Sequence, residues 1–555
     1  MTVIDPVDLK VPGVEDNDLL LAWINQENVI FHENLCIGKS ELGGIGLIYD
    51  NDNQHSKSEE FKRADEDIEI LRIPHNLALD YKSLLKILDE LKTRDLTVTN
   101  IDLKESELLI NMLKIGEPAT ETEIIECYII GFKVLKDHAI LNPNSYYTSS
   151  PLRKFDMYLD IVCGTYTLDY PLDDTSSDPF IQNLIDRSRI LKKDYESIME
   201  SLNHIYIGNN FDFNKLLSFE TFYQIKSVIK SRTLEIPHCI SLSQLSIKEE
   251  QEQFEEKVDK DLENEDEDNK NDFYINVTLV PILDFANHMH NNNSYFDIDL
   301  VTEDIILKLK HDRIESGKFE ITINYSSIES IENFIKYYGF IPRLTNEPNH
   351  FQLSELRLTL NIENGELISK WLKILPQIQI IDSNNQVYFN FFKNNLPLLF
   401  MKDIKYNDNW VDEIKKQYDD ENVDEIIEII KHQEKYYDVV IGVEPRGILY
   451  KNQPIEEIND IIKSIDGQTF DELISKTITY IIDYFKQLLP KLDSIPVRNN
   501  FDTIVNEYHQ RLQTIIMRII NTKNHQTLIL PEELAQEEWE TQYRTLPQEM
   551  SFETE

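Results

Sequence analysis

The sequence predicts an α+β chain in which strand-forming segments flank a long helical insertion and a helical region follows. Three observations predict it. Short apolar runs bounded by glycine or proline stand at residues 43–49, 68–73, 274–283 and 319–323. Helical patterning fills most of residues 76–235, and two long amphipathic stripes close the chain. The expected domains are therefore 17–345, split by the insertion at about 76–235 and by an acidic loop at about 247–272, and an all-helical 346–545.

Each element has a local reason. Leu19, Leu20, Trp23 and Ile24 form a helical stripe over Asn17 to Gln26, with Asp16 or Asn17 as cap. Gly43-Gly44-Ile45-Gly46 turns into the apolar strand Leu47-Ile48-Tyr49. Ile68, Ile70 and Ile73 predict a second strand that Pro74 stops. The insertion opens with helices such as Tyr81 to Leu91 and runs to Phe219 to Ile229. Residues 247–272 are almost all charged or polar, which predicts a solvated loop or frayed helix. Strands resume over Tyr274 to Leu283, and Phe319, Ile321 and Ile323 alternate. The last stripes run from Phe470 to Phe485, before Pro490, and from Phe501 to Ile519.

Composition narrows the function. An apolar fraction of 41% is ordinary for folded protein, so wholesale disorder is not expected over 555 residues. No window approaches the roughly 18–20 apolar residues of a membrane span. The first residues carry acids and prolines, and neither a secretory signal nor a transit peptide is expected. A cytosolic or nuclear protein, and a monomer, are the expectations. Cys36, Cys127, Cys163 and Cys239 share no C-x-x-C spacing, so neither a zinc cluster nor a disulfide framework is expected. One hundred acids against fifty-five bases leave a net charge of −45, which repels nucleic acid and steers basic proteins inward.

Three segments carry candidate chemistry. The Gly44-Ile45-Gly46 turn lets backbone approach a ligand, but it opens no helix, and a dinucleotide fingerprint is excluded. Val280 to Leu283 delivers Asp284, Asn287 and His288 at a strand end. His288 and His290 lack a third ligand nearby, so no metal is expected. Tyr325 ends the alternating strand, and Tyr337, Tyr338 and Phe340 follow as an aromatic cluster.

The order of these segments resembles SET-domain protein-lysine methyltransferases. The subgroup is that of the Rubisco large-subunit methyltransferase, which includes ribosomal-protein methyltransferases. Ile70-Leu71-Arg72-Ile73-Pro74, Ser231-Arg232-Thr233, Asp284-x-x-Asn287-His288, Ile321-x-Ile323-x-Tyr325 and Tyr338-Gly339-Phe340 carry the resemblance. The chain departs from the pattern at Gly43, Met289 and Ser326, and it has no clear counterpart of the Tyr-Leu-Pro segment of the insertion, for which Tyr158-Leu159-Asp160 is a poor substitute.

The resemblance implies a SET-domain β-fold and S-adenosylmethionine as cofactor. It implies that Gly44, Ile45, Gly46, Arg232, Asp284, Asn287, His288 and Phe340 bind that cofactor. Tyr325 would be the active-site tyrosine, and Tyr338 would line the lysine channel. The implied reaction is methylation of a lysine on a basic protein, with a ribosomal protein first and cytochrome c or an elongation factor next. Two other classes compete: a SET-fold binding module without catalysis, and an acidic escort for a basic protein. Cofactor binding and turnover separate the three.

Overall fold

Side-chain caps start the helices where the sequence places them. Asp16 Oδ1 accepts the Asp18 N–H at 2.9 Å at the head of helix α1 (Asn17–Gln26). At Tyr81–Asp95 (α2), Asp80 and Ser83 form a reciprocal capping box: Asp80 Oδ1 accepts the Ser83 N–H at 2.7 Å, and Ser83 Oγ accepts the Asp80 N–H at 2.9 Å. Asp80 also accepts from Asn276 Nδ2 at 2.9 Å, so one cap ties the helical insertion to a later strand.

The computed structural model describes residues 4, 10–42, 44–51, 67–96, 103–142, 146–165, 175–176, 178–207, 212–239, 273–299, 301–325, 330–343, 352–358, 377–383, 386–390, 400, 404–406, 448–450, 453–454, 470–492 and 494–530. The acidic run 247–272 lies outside them. The chain divides into two units, Met1–Thr167 with Arg189–Ser326, and Leu168–Ser188 with Ser327–Glu555.

Among its described residues the first unit has ten strands: β1 (Ile30–Phe31), β2 (Leu35–Lys39), β3 (Ile45–Asp50), β4 (Ile68–Ile73), β5 (Thr233–Cys239), β6 (Phe273–Leu279), β7 (Asn287–His288), β8 (Ser294–Ile298), β9 (Ile305–Leu309) and β10 (Lys318–Ile323). They form sheets in the orders β1-β4-β9-β8 and β2-β3-β10-β7, with β5 and β6 as a separate antiparallel pair. The insertion contributes α2, α3 (Glu105–Gly116), α4 (Glu121–Leu141), α5 (Asp156–Gly164), the rear of α6 (Pro179–Ile205), α7 (Phe213–Leu216) and α8 (Phe219–Arg232). Leu108, Met112, Ile129, Phe132 and Phe222 join strand residues such as Leu47 and Ile321 in one core. The α+β expectation holds. β8 and β9 went unpredicted because Asp297 and Lys308 interrupt their apolar runs.

The second unit is not all helix. Its antiparallel sheet has strands β11 (Gln352–Arg357), β12 (Gln377–Ser383) and β13 (Gln386–Asn390), where the sequence reading expected helices alone. The correction has a plain cause: Ile378 and Ile380, then Val387 and Phe389, are buried at the two-residue strand period. The helices Phe470–Leu488 and Asn500–Asn521 are as predicted, the first ending just before a 3₁₀ turn that contains Pro490. The unit division falls at Ser326/Ser327 instead of residue 345. Ile331, Ile335 and Ile341 explain the shift, because they are buried in the second core with Leu356 and Phe389. Among the described residues no helix is long and apolar enough to cross a membrane.

Ile481 is fully buried in the stripe of Phe470–Leu488. Ile481→Ala should cost about 2–5 kcal/mol, seen as a lower urea midpoint in the unfolding of this unit. An unchanged midpoint would mean the stripe is not a packed core.

Candidate active site

A two-residue parallel pairing assembles the site. β7 lies beside β10 with Asn287 opposite Thr322 and His288 opposite Ile323, and the Met289 N–H extends the ladder to Ile323 O at 3.0 Å. On its other edge β10 pairs with β3, Ile321 opposite Leu47. The glycine turn is the tip of the β2–β3 hairpin, in which Gly38 faces Gly46 and Lys39 faces Ile45. Asn287 Nδ2 reaches across to Ile45 O at 3.0 Å and to Glu320 Oε1 at 2.7 Å.

The glycines serve different needs. Gly44 has φ +69°, a left-handed backbone that side chains disfavour, and a Cβ there would meet no atom within 4 Å. At Gly46 the constraint is space: a Cβ would lie 2.6 Å from Glu320 Oε1 and 3.1 Å from Asn287 Nδ2. Gly43 lies outside the described residues.

Tyr325 follows β10 and is fastened at both ends. Its N–H donates to His288 Nδ1 at 3.1 Å, and its hydroxyl donates to Ala286 O at 3.0 Å. The His288 and Tyr325 rings lie 5.3 Å apart, and His290 stands edge-on to His288 at 4.7 Å. Burial pushes the Tyr325 phenol up, so it stays protonated at neutral pH. Among the described residues no group of three His, Cys, Asp or Glu side chains is placed to hold a metal.

Asp284 sits on the turn Leu283–Phe285, preceded by Ile282 at φ +74°. A β-branched residue in that region is strained, and the surrounding contacts must hold it there. They do. Arg232, the last residue of α8, donates to Asp284 Oδ2 at 2.8 Å and to Asp284 O at 3.1 Å, while its other terminal nitrogen reaches Thr165 Oγ1 at 3.3 Å. Tyr158 on α5 is completely buried and donates its hydroxyl to the same Asp284 Oδ2 at 2.6 Å. Burial, reinforced by the Asp284 charge, pushes the Tyr158 phenol well up.

The structure thus brings together Gly44, Ile45, Gly46, Asn287, His288 and Tyr325, and joins Arg232 to Asp284. Tyr338 and Phe340 belong to the second unit, where they cluster with Phe334 at ring distances of 5.4 and 5.6 Å. Sequence reasoning missed Glu320 and Tyr158. The signal for Glu320 was a lone acid inside an apolar strand; for Tyr158 it was a polar hydroxyl on the apolar helix Asp156–Gly164.

The family model described as Cytochrome c lysine N-methyltransferase 1 matches residues 261–551, more than half of the chain. The chain belongs to that family. Two relatives bear the same description. The one from Kluyveromyces lactis is 26% identical over 341 residues, covering 59% of this chain, and the one from Saccharomyces cerevisiae is 24% identical over 397 residues, covering 67%. The match spans 58% of the length of each. A third, from Eremothecium gossypii, is 32% identical over 140 residues, covering 23% of this chain and 29% of the relative. Among solved structures, the SET domain of LSMT bound to lysine and AdoHcy is similar over 97% of this chain and 96% of its own, at 12% identity and TM-score 0.45. A likeness at that level leaves the reading to rest on the site residues and the family.

Tyr158→Phe deletes one donor to a buried carboxylate and keeps the ring. It should cost about 1.5–3 kcal/mol, read as a lower Tm; an unchanged Tm would mean that the hydroxyl does not hold the Asp284 turn.

Proposed function

We propose that this chain transfers a methyl group from S-adenosylmethionine to the ε-amine of a lysine on a basic protein, with cytochrome c as the first candidate. The observation that carries it is the junction of the Gly44–Gly46 hairpin with Asn287 and His288 in one sheet, with Tyr325 just beyond strand β10 and bonded to His288. Family membership supports the reaction. The relatives' names favour cytochrome c, which moves ahead of the ribosomal protein that the sequence reading put first. The net charge of −45 suits either basic partner. The working location in this reading is the cytosol, and the chain acts as a monomer.

The residues fit the cofactor. Gly44 leaves open space beside the backbone of β3, and Gly46 brings no side chain. Asp284 Oδ1 and Asn324 Oδ1 are buried polar atoms with no hydrogen-bond partner among the described residues. Backbone at 44–46 and at Asn287 and His288 would hold the ligand along the sheet edge. Arg232 supports it indirectly by fixing the Asp284 turn. When bound, S-adenosylmethionine supplies an electrophilic methyl on a positively charged sulfur.

The protein's task is then alignment. A lysine amine attacks only when neutral, and its usual pKa near 10.4 keeps it charged in water at pH 7. A desolvated aromatic entry disfavours the ammonium. The Tyr325 hydroxyl donates its proton to Ala286 O, and its oxygen is the atom that would accept an amine N–H and orient the nitrogen. Burial pushes the Tyr325 phenol up, which disfavours a tyrosinate acting as base.

Incubation of purified protein with isotopically labelled S-adenosylmethionine and cytochrome c, followed by peptide mass spectrometry, tests this. Label on a cytochrome c lysine, reduced at least about a hundredfold by Tyr325→Phe, is expected. Label only on ribosomal proteins in a parallel extract would displace cytochrome c. Cofactor binding without any turnover would favour the inactive binding module.

A further inference from the structure

Glu320 lies on β10 between two residues of the apolar alternation, and its carboxylate gathers three donors. Ser40 Oγ donates to Oε1 at 2.7 Å, Asn287 Nδ2 donates to the same oxygen at 2.7 Å, and the Glu41 N–H reaches Oε2 at 3.3 Å. Ser40 and Glu41 form the start of the hairpin tip whose far side is Gly44-Ile45-Gly46. One carboxylate therefore grips both the tip of the β2–β3 hairpin and the strand β7.

The bonding pattern fixes more than distance. An Asn side chain has one end that donates and one that accepts. The end of Asn287 turned into the sheet meets Ile45 O at 3.0 Å and Glu320 Oε1 at 2.7 Å, a carbonyl and a carboxylate. Both accept and neither donates when the carboxylate is ionised, so only the NH2 end satisfies them. The opposite orientation would set the Asn287 carbonyl against two acceptors. Its Oδ1 is thereby turned away from the pair as an acceptor. Gly46 is part of the same device, because any side chain there would strike Glu320 Oε1.

We infer that Glu320 is a positioning residue: it locks the Asn287 amide with Oδ1 presented to an N–H donor of the bound cofactor, and it holds the hairpin tip at the matching distance. This rests on the reading of the site as a place for S-adenosylmethionine. An ammonium donor, as on the amino-acid end of that molecule, is the group this acceptor selects.

The test is calorimetric titration of the purified full chain with S-adenosylhomocysteine, with melting curves taken alongside. Glu320→Gln offers Asn287 a donor as well as an acceptor and unlocks the amide. Asn287→Asp sets two carboxylates against each other. Each single variant should bind at least about tenfold more weakly, the equivalent of one lost charge-assisted hydrogen bond. The double variant, Glu320→Gln with Asn287→Asp, restores the contact between these two side chains in reverse, Gln donating and Asp accepting, while Ile45 O is left facing an Asp oxygen. It should bind at least about threefold more tightly than either single variant. Glu320 acting only as a brace for Ser40 and Glu41 predicts no such recovery, so a double variant that stays folded and binds as weakly as the singles overturns the inference. Single variants that bind like the wild type overturn it as well. Wild-type protein with no affinity for the ligand would instead sink the functional reading underneath, and this inference with it.

Discussion

Everything at the site depends on the pairing of Asn287 and His288 with Thr322 and Ile323. Two hydrogen-bonded residues are a weak strand by themselves, since an isolated short ladder is marginal in water. This one persists because side chains extend it. Ser294 Oγ donates to Thr322 O at 2.8 Å, Asn293 Oδ1 accepts the Thr322 N–H at 2.9 Å, and the Tyr325 hydroxyl returns to Ala286 O. A parallel pairing requires a connection that leaves and comes back, and β8 and β9 are that excursion. The register also decides chemistry: a slip of one residue would turn Asn287 away from Ile45 and Glu320.

The second constraint is the buried charge at Asp284. Its carboxylate side chain is fully shielded from solvent, a costly placement that one opposite charge seldom repays. Here Arg232 supplies the charge and Tyr158 a further hydrogen bond, and both come from the helical insertion. The insertion is thus more than a spacer between strands. Its α5 and α8 hold the turn on which Ile282 takes its strained backbone, and that turn leads directly into Asn287 and His288.

Much of this was legible in the sequence. Elements with strong periodicity or clear caps, such as α1 with Asp16 and the stripes ending at Phe485 and Ile519, lie where their patterns put them. The candidate residues Gly44, Asn287, His288 and Tyr325 were legible as a set only through the order of motifs that resembles the SET-domain family, because singly each reads as a turn or core residue. What could not be read was partnership. Nothing in the local sequence couples Glu320 to Ser40 or Tyr158 to Asp284, since such pairs exist only once the sheets and insertion are folded. The strands β11 to β13 were missed because neighbouring isoleucines such as Ile380 and Ile381 blur alternation into a run that also suits a helix.

The most direct test of the central claim is a crystal structure of the chain with S-adenosylhomocysteine. The account predicts density for the ligand against the Gly44–Gly46 backbone, with Asn287 Oδ1 accepting from the ligand and Tyr325 still bonded to Ala286 O. Density at another place, or bound ligand with Asn287 making no contact to it, would contradict the account.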